Sequence, residues 1–231
     1  MRSYGKLCTQ YYDLDKPRPP EEAFRFYFNQ AKDAGGPVLE PMCGSGRFLI
    51  PLMQAGLSIT GVDPSPTMLA ACREKALVLG LTPSLYQHYL HEMDVPGIYG
   101  LAMIPSGSFG LITDLEEAQQ SLLRIHQHLV PGGRLVLELD QLVETPNLLH
   151  EPNKNTLSRP DGAQIKISSL GQFDADEKIY HSTNRYDLIF HGQIVESEVE
   201  HFSLRYYDPR FFPAYSRNAD SKKKRSSLLS N

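Results

Sequence analysis

Apolar and polar positions follow two different rhythms along the 231-residue chain. In the first, short apolar runs alternate with helix-length amphipathic stretches. Pro19 to Gln30 opens on a proline pair and continues as EEAFRFYFNQ, with acidic residues in the first turn, the pattern of a helix start. Val38-Leu39, closed by Glu40, has the form of a short buried strand, and Arg47 to Gln54 that of an apolar helix stopped near Gly56. Ser58 to Val62 predicts a second strand ending at Asp63. Ser65-Pro66 then opens a helix running to Gly80, with serine as N-cap and proline at the first helical position. Ser84 to Tyr89 and Tyr99 to Ile104 are strand-like. Leu115, Ala118, Leu122, Ile125 and Leu129 recur at helical spacing behind a Thr113/Glu116 capping-box pair. Pro131-Gly132-Gly133 is predicted to end that helix before a strand over Arg134 to Leu139. Strand alternating with helix predicts an α/β fold: a doubly wound, Rossmann-like, mostly parallel sheet covered on both faces.

Past Asp140 the rhythm changes. Ala163 to Ile167, Lys178 to Phe190 and Gln193 to Tyr206 are strand-like, and residues 174–177 and His191-Gly192 carry turn chemistry between them. They predict an inserted three-stranded antiparallel unit. Phe202, Leu204 and Tyr206 share one strand face and are expected to pack on the core. The chain therefore divides into an α/β core over 1–143, an antiparallel unit over 144–212, and a polar, basic tail over 213–231. The antiparallel unit is entered through a loop-like stretch, 144–162, and is read as a cover over a substrate pocket. The tail contains Lys222 to Arg225 and is read as disordered.

Composition narrows the class. A formal net charge of -4 argues against an extended nucleic-acid surface. The three cysteines, Cys8, Cys43 and Cys72, are scattered and odd in number, which argues against a disulfide framework and for a reducing compartment. The first residues lack a signal-peptide core, and no apolar run approaches the ~20 residues of a membrane helix, so the chain is read as soluble and cytoplasmic. His88/His91 and His126/His128 are close pairs without an accompanying acid–His–Cys cluster, and no metal site is predicted.

Candidate chemistry concentrates in VLEPMCGSGRF, an acid at a strand end, two close glycines and then a helix. Glycines let backbone approach a ligand, and the helix start offers free N–H groups and a positive dipole end. Glu40 sits where a pyrophosphate would meet a carboxylate, so the site suits a ligand with a cationic group. Asp63, at the end of the second strand, is placed to accept hydrogen bonds from a ribose diol.

The segments LEPMCGSGRF, ITGVDPSPTML and LLRIHQHLVPGGRLVLELD resemble class I S-adenosylmethionine-dependent methyltransferases, over roughly residues 5–208. The resemblance implies that Glu40 and the loop Met42, Cys43, Gly44 and Gly46 meet the methionine part of the cofactor. It likewise implies that Asp63 holds the ribose hydroxyls, and that Pro64 through Met68 flank the adenine. Three departures stand out. Met42 replaces a usual glycine. The region after the third strand lacks the acid that contacts the adenine amino group, leaving Gln87 as its substitute. Nothing in FFPAYSRNADSKKKRSSLLSN resembles the closing helix and strand pair, so Arg134 to Leu139 is expected to leave an uncovered edge open to homodimer formation.

The resulting expectation is in-line methyl transfer to a small-molecule acceptor. Positioning supplies much of the acceleration, and a general base is needed only where the acceptor must lose a proton. No catalytic constellation is evident. The stretch Ile104 to Phe109 lacks the Asn/Asp-Pro-Pro-Tyr/Phe pattern of amino-methylating nucleic-acid enzymes. Ser106 and Ser108 in that stretch are acceptor-binding candidates, and so are Tyr11 and Tyr12, whose rings suit a sulfonium. Two other readings compete: a cofactor-binding but inactive protein lacking its closing elements, as truncation or frameshift would leave it, and a nicotinamide-dependent dehydrogenase. Against the dehydrogenase, Leu49 stands where its fingerprint needs glycine or alanine.

Overall fold

A computed structural model describes residues 4–140, 142 and 153–212, which form two sheets with helices packed between and around them. The first sheet contains β1 (Val38–Pro41), β2 (Ile59–Val62), β3 (Ser84–Tyr86), β4 (Tyr99–Ile104) and β5 (Leu129–Leu137). All neighbours are parallel, in the order β3-β2-β1-β4-β5. β1 and β4 are buried along their whole length, and β4 accordingly reads as an unbroken apolar run, while β1 carries one acid, Glu40, near its end. Successive residues face opposite layers. Val38, Leu101 and Met103 pack under α2 (Glu21–Ala34), α3 (Leu49–Gln54) and α4 (Pro66–Val78). Leu39, Ala102 and Ile104 pack under α5 (Leu115–Gln127). The chain winds outward from β1 to β3 and then returns to β4, so the carboxyl ends of β1 and β4 flank a topological switch point, where open α/β sheets bind ligands.

Helix starts follow local chemistry. The Ser65 hydroxyl accepts from the Met68 N–H, and Pro66 occupies the first position of α4. α5 is capped by Asp114 rather than Thr113: its carboxylate accepts from the Glu116 and Glu117 N–H groups at 2.8 and 2.9 Å. α5 also stops at Gln127, before the Pro-Gly-Gly triplet. Pro131-Gly132-Gly133 instead bulges inside β5, between the Tyr99–Leu129 and Leu101–Arg134 pairs. Among the described residues no strand pairs with the outer side of β5.

The second sheet is antiparallel and has four strands rather than three, in the order β6-β7-β8-β9. β6 (Asn153–Ser158) lies in the stretch expected to be a loop, and is followed by β7 (Gln164–Asp174), β8 (Ile179–Phe190) and β9 (Gln193–Arg205). The segment expected to be a disordered tail, 213–231, lies outside the described residues, as do 143–152.

An unforeseen helix, α1 (Lys6–Asp15), packs on this second sheet, with Leu7, Cys8 and Tyr11 against Ile165 and Tyr186. Its free N–H groups are met by β9 carboxylates, Gly5 to Glu200 at 2.6 Å and Leu7 and Cys8 to Glu198 at 3.1 and 2.8 Å. The sheet is also tied to the loop after β4, because Arg205 Nε donates to the Thr113 carbonyl at 2.7 Å and the Tyr207 hydroxyl donates to the Ile112 carbonyl. Phe202 packs on Tyr4 and Leu204 reaches the loop at Gly110, whereas Tyr206 turns to Phe173.

Candidate functional site

A cavity of about 450 Å³ opens at the carboxyl ends of β1, β2 and β4. Its floor is the loop after β1. Met42, Gly44 and Gly46 all have left-handed backbones, with φ of 58°, 54° and 83°. Met42 adopts this conformation with a side chain, at the position where the resemblance leads one to expect glycine. Gly44 faces the open cavity: an added Cβ would meet nothing closer than the Met68 sulfur at 3.9 Å. Gly46 serves packing instead. A Cβ there would lie 2.5 Å from Cys72 Sγ, and Gly46 does not line the cavity.

Two buried carboxylates stand beneath the loop. Asp63 Oδ2 accepts the Gly44 N–H at 2.8 Å and Oδ1 accepts the Ser65 N–H at 2.9 Å, so one side chain joins the loops after β1 and β2. Burial raises its pKa to about 6, and the hydrogen bonds from Ser65 and Gly44 oppose that rise. Glu40 is buried, and its Oε2 has no hydrogen-bond partner among the described residues. Burial, and then the Asp63 charge, push its pKa well above the usual carboxylate range. A buried carboxylate oxygen without a partner is costly, and it points to a ligand group that donates to it.

A second wall comes from the N-terminal segment. Tyr4, Tyr12 and Lys16 line the cavity. Asp13 fastens α1 to the core, accepting from Ser45 Oγ at 2.5 Å and Lys75 Nζ at 2.6 Å. Arg47 crosses between the walls, donating to the Arg18 carbonyl at 3.1 Å and to Ser106 Oγ at 3.4 Å.

The loops after β3 and β4 complete the site. Ser106, at φ 61°, donates its N–H to Glu138 at 2.9 Å, and the Ser108 hydroxyl bonds the Pro105 carbonyl. On the β3 side, His91 lies 3.9 Å from Glu117 and 3.7 Å from Glu92, and all three line the cavity.

Most of the residues singled out in the sequence thus meet at one cavity: Glu40, Met42, Cys43, Gly44, Asp63, Pro64, Met68, Tyr12, Ser106 and Ser108. Gln87 does not. Its amide turns outward to the Pro64 carbonyl at 3.3 Å, and the acids near that end are Glu92 and Glu117. Tyr11 is also displaced, because its helix turns it onto Tyr186, with ring centroids 5.6 Å apart. Sequence reasoning missed Tyr4, Lys16, Arg47, His91, Glu92 and Glu117. Arg47 alone had a visible signal, its place directly after the glycine loop. Among the described residues no group of three or more His, Cys, Asp or Glu side chains is arranged to hold a metal.

Residues 38–133, from β1 into β5, match the family model described as a methyltransferase domain. This stretch is similar to a methyltransferase domain. A Geobacillus sp. (strain WCH70) protein named only provisionally as a methyltransferase is 25% identical over 114 residues, 49% of this chain and 46% of that protein. Phosphatidylethanolamine N-methyltransferase of Cereibacter sphaeroides is 29% identical over 138 residues, 59% of this chain and 65% of the enzyme. The chain thus spans between about half and two-thirds of the length of these curated relatives. Among solved structures, the sugar N-methyltransferase KedS8 from Streptoalloteichus sp ATCC 53650 superimposes with a TM-score of 0.73 at 16% identity, covering 91% of this chain and 83% of that one. At that identity the likeness is one of fold, a five-stranded parallel sheet in the order β3-β2-β1-β4-β5 flanked by helices. No helix among the described residues is long and apolar enough to cross a membrane.

Proposed function

We propose that the chain is an S-adenosylmethionine-dependent methyltransferase acting on a small-molecule acceptor. The observation that carries this reading is the buried Glu40 carboxylate, whose Oε2 has no partner among the described residues, beside Asp63 under an open glycine turn. The residues present fit the cofactor. Glu40 would receive its ammonium group, Asp63 has lone pairs left for ribose hydroxyls, and Gly44 leaves the turn free of a side chain. Pro64 and Met68 would flank the adenine, with Glu92 or Glu117, rather than Gln87, within reach of its amino group. The bound cofactor would supply an electrophilic methyl on a sulfonium centre.

The chain's own part is then to orient and to exclude water. Tyr12 and the loop Pro105 to Ser108 both line the cavity, with Arg47 reaching each, where they can align an acceptor. Burial raises the Tyr12 phenol above its usual pKa, with Arg47 as the main opposing influence, so the ring stays neutral near pH 7. The antiparallel sheet is a cover in this scheme, since Leu204 of β9 lines the cavity. We retain the boundaries 1–143, 144–212 and 213–231 as a proposal, with α1 an exchange in which core sequence braces the cover.

The experiment is incubation with methyl-labelled S-adenosylmethionine and a panel of small amines, alcohols and acids. Transfer of label to an acceptor supports the reading. Cofactor binding without transfer to any small molecule or to water would favour the inactive alternative.

A further inference from the structure

Two cations line the cavity without an ion-pair partner among the described residues. Neither Lys16 nor Arg47 takes part in any of the ion pairs among the described residues. Both approach the same side chain: Lys16 Nζ stands 5.7 Å from the centre of the Tyr12 ring, and Arg47 acts on the Tyr12 hydroxyl. Like charges brought to one cavity wall repel, and the repulsion is relieved by an anion between them. Arg47 also has donors to spare. Of its five N–H groups, one meets the Arg18 carbonyl, one makes a long contact with Ser106 and one is taken by the Tyr12 hydroxyl, while its guanidinium lies over Phe48 at 5.8 Å. A half-buried guanidinium with free N–H groups is suited to a carboxylate or phosphate.

The pair lies on the side of the cavity where methyl transfer is expected. Arg47 touches Ser106 in the loop after β4, and Lys16 acts on Asp140 beyond β5. Asp63 and Met68 line the same cavity. Acids also face this region. Glu40 lies beneath it, Glu138 is bound to the Ser106 N–H, and Asp140 is next to Gly107. Only Glu40 of these lines the cavity itself.

We propose that Arg47 and Lys16, with the Tyr12 and Ser106 hydroxyls, bind an oxyanion carried by the methyl acceptor. The acceptor is then a small carboxylate- or phosphate-bearing molecule. This rests on the methyltransferase reading, and its test separates the two. The chain is saturated with S-adenosylhomocysteine, which carries the cofactor's own amine and carboxylate, and titrated with inorganic phosphate while the Arg47 Nε–Hε resonance is followed by NMR. A saturable shift is expected in the wild type. In Arg47→Gln, phosphate binding, read by calorimetry, falls by about 10- to 100-fold, the loss of a hydrogen bond to a charged group. The exposed Lys16→Gln change, which leaves the fold untouched, weakens phosphate in the same direction, and Arg47→Lys restores part of the loss. S-adenosylhomocysteine affinity stays within about twofold throughout.

No saturation in the wild type, or unchanged phosphate affinity in both glutamine variants, overturns the proposal. So does competition between phosphate and S-adenosylhomocysteine with a parallel loss of its affinity in Arg47→Gln, because the cations then serve the cofactor's carboxylate. If the wild type fails to bind S-adenosylhomocysteine, the methyltransferase reading falls, and the same titration of the free protein judges the anion subsite alone.

Discussion

Replacing Asp63 by asparagine should remove a defined part of the pH dependence of stability. Burial raises the folded-state pKa of Asp63 from 3.8 to about 6, so the folded state holds its proton more tightly than the unfolded chain does. The sign follows from that inequality. The contribution is fully present below the unfolded pKa and is lost as pH rises through the folded one. At about 1.4 kcal/mol per unit, the rise from 3.8 to about 6 corresponds to about 3 kcal/mol, all of it lost between roughly pH 4 and just above pH 6. Asparagine keeps one oxygen for the Ser65 or Gly44 N–H but cannot ionise. It also lightens the Coulombic load on Glu40, which moves the difference in the same direction. Urea unfolding of the ligand-free wild type and Asp63→Asn, at steps from pH 4 to pH 7.5, measures it. The variant's stability relative to wild type should rise by about 3 kcal/mol or more across that window, the titrations of groups away from Asp63 and Glu40 cancelling. Two parallel curves would mean that Asp63 is not desolvated in the folded chain, and the buried-carboxylate picture of the site would be wrong.

Three further outcomes follow from the packing. Gly46→Ala places a methyl 2.5 Å from Cys72 Sγ at φ 83°, and should cost about 1–3 kcal/mol in thermal or urea unfolding. Glu198→Ala leaves the Leu7 and Cys8 N–H groups of α1 without their acceptor, at about 1–2 kcal/mol, and should raise amide exchange in α1 before exchange in β4. Pairing between copies through the outer side of β5 should appear in sedimentation as concentration-dependent mass, and a monomer at all concentrations would show that edge to be covered.

The parallel core was legible because its signals are local. β4 is buried on both faces and so is apolar throughout, β1 is buried and apolar but for Glu40 near its end, and α4 announces itself with Ser65 and Pro66. Elements whose identity comes from their neighbours were not. β6 reads NKNTLS, with little strand propensity, and is a strand because β7 offers it an edge. The helical spacing of Leu7, Tyr11 and Leu14 was available in the sequence, but what holds α1 is carboxylates about 190 residues away. The Pro-Gly-Gly triplet reads as a stop for α5, yet β4 pairing on both sides of it makes it a bulge. At the site, Glu40, Gly44 and Asp63 sit at strand ends that the pattern fixes. Gln87 failed because the turn after β3 sets which side chains face in, and Lys16 and Arg47 because their convergence is a tertiary fact.

The central claim is that this cavity holds S-adenosylmethionine, and calorimetric titration with S-adenosylhomocysteine tests it most directly. The account predicts saturable one-to-one binding to the wild type and none to a folded Gly44→Val variant, whose branched side chain would enter the cavity from a left-handed backbone. A wild type that takes up no S-adenosylhomocysteine, or a Gly44→Val variant that binds it as well as the wild type does, would contradict the account.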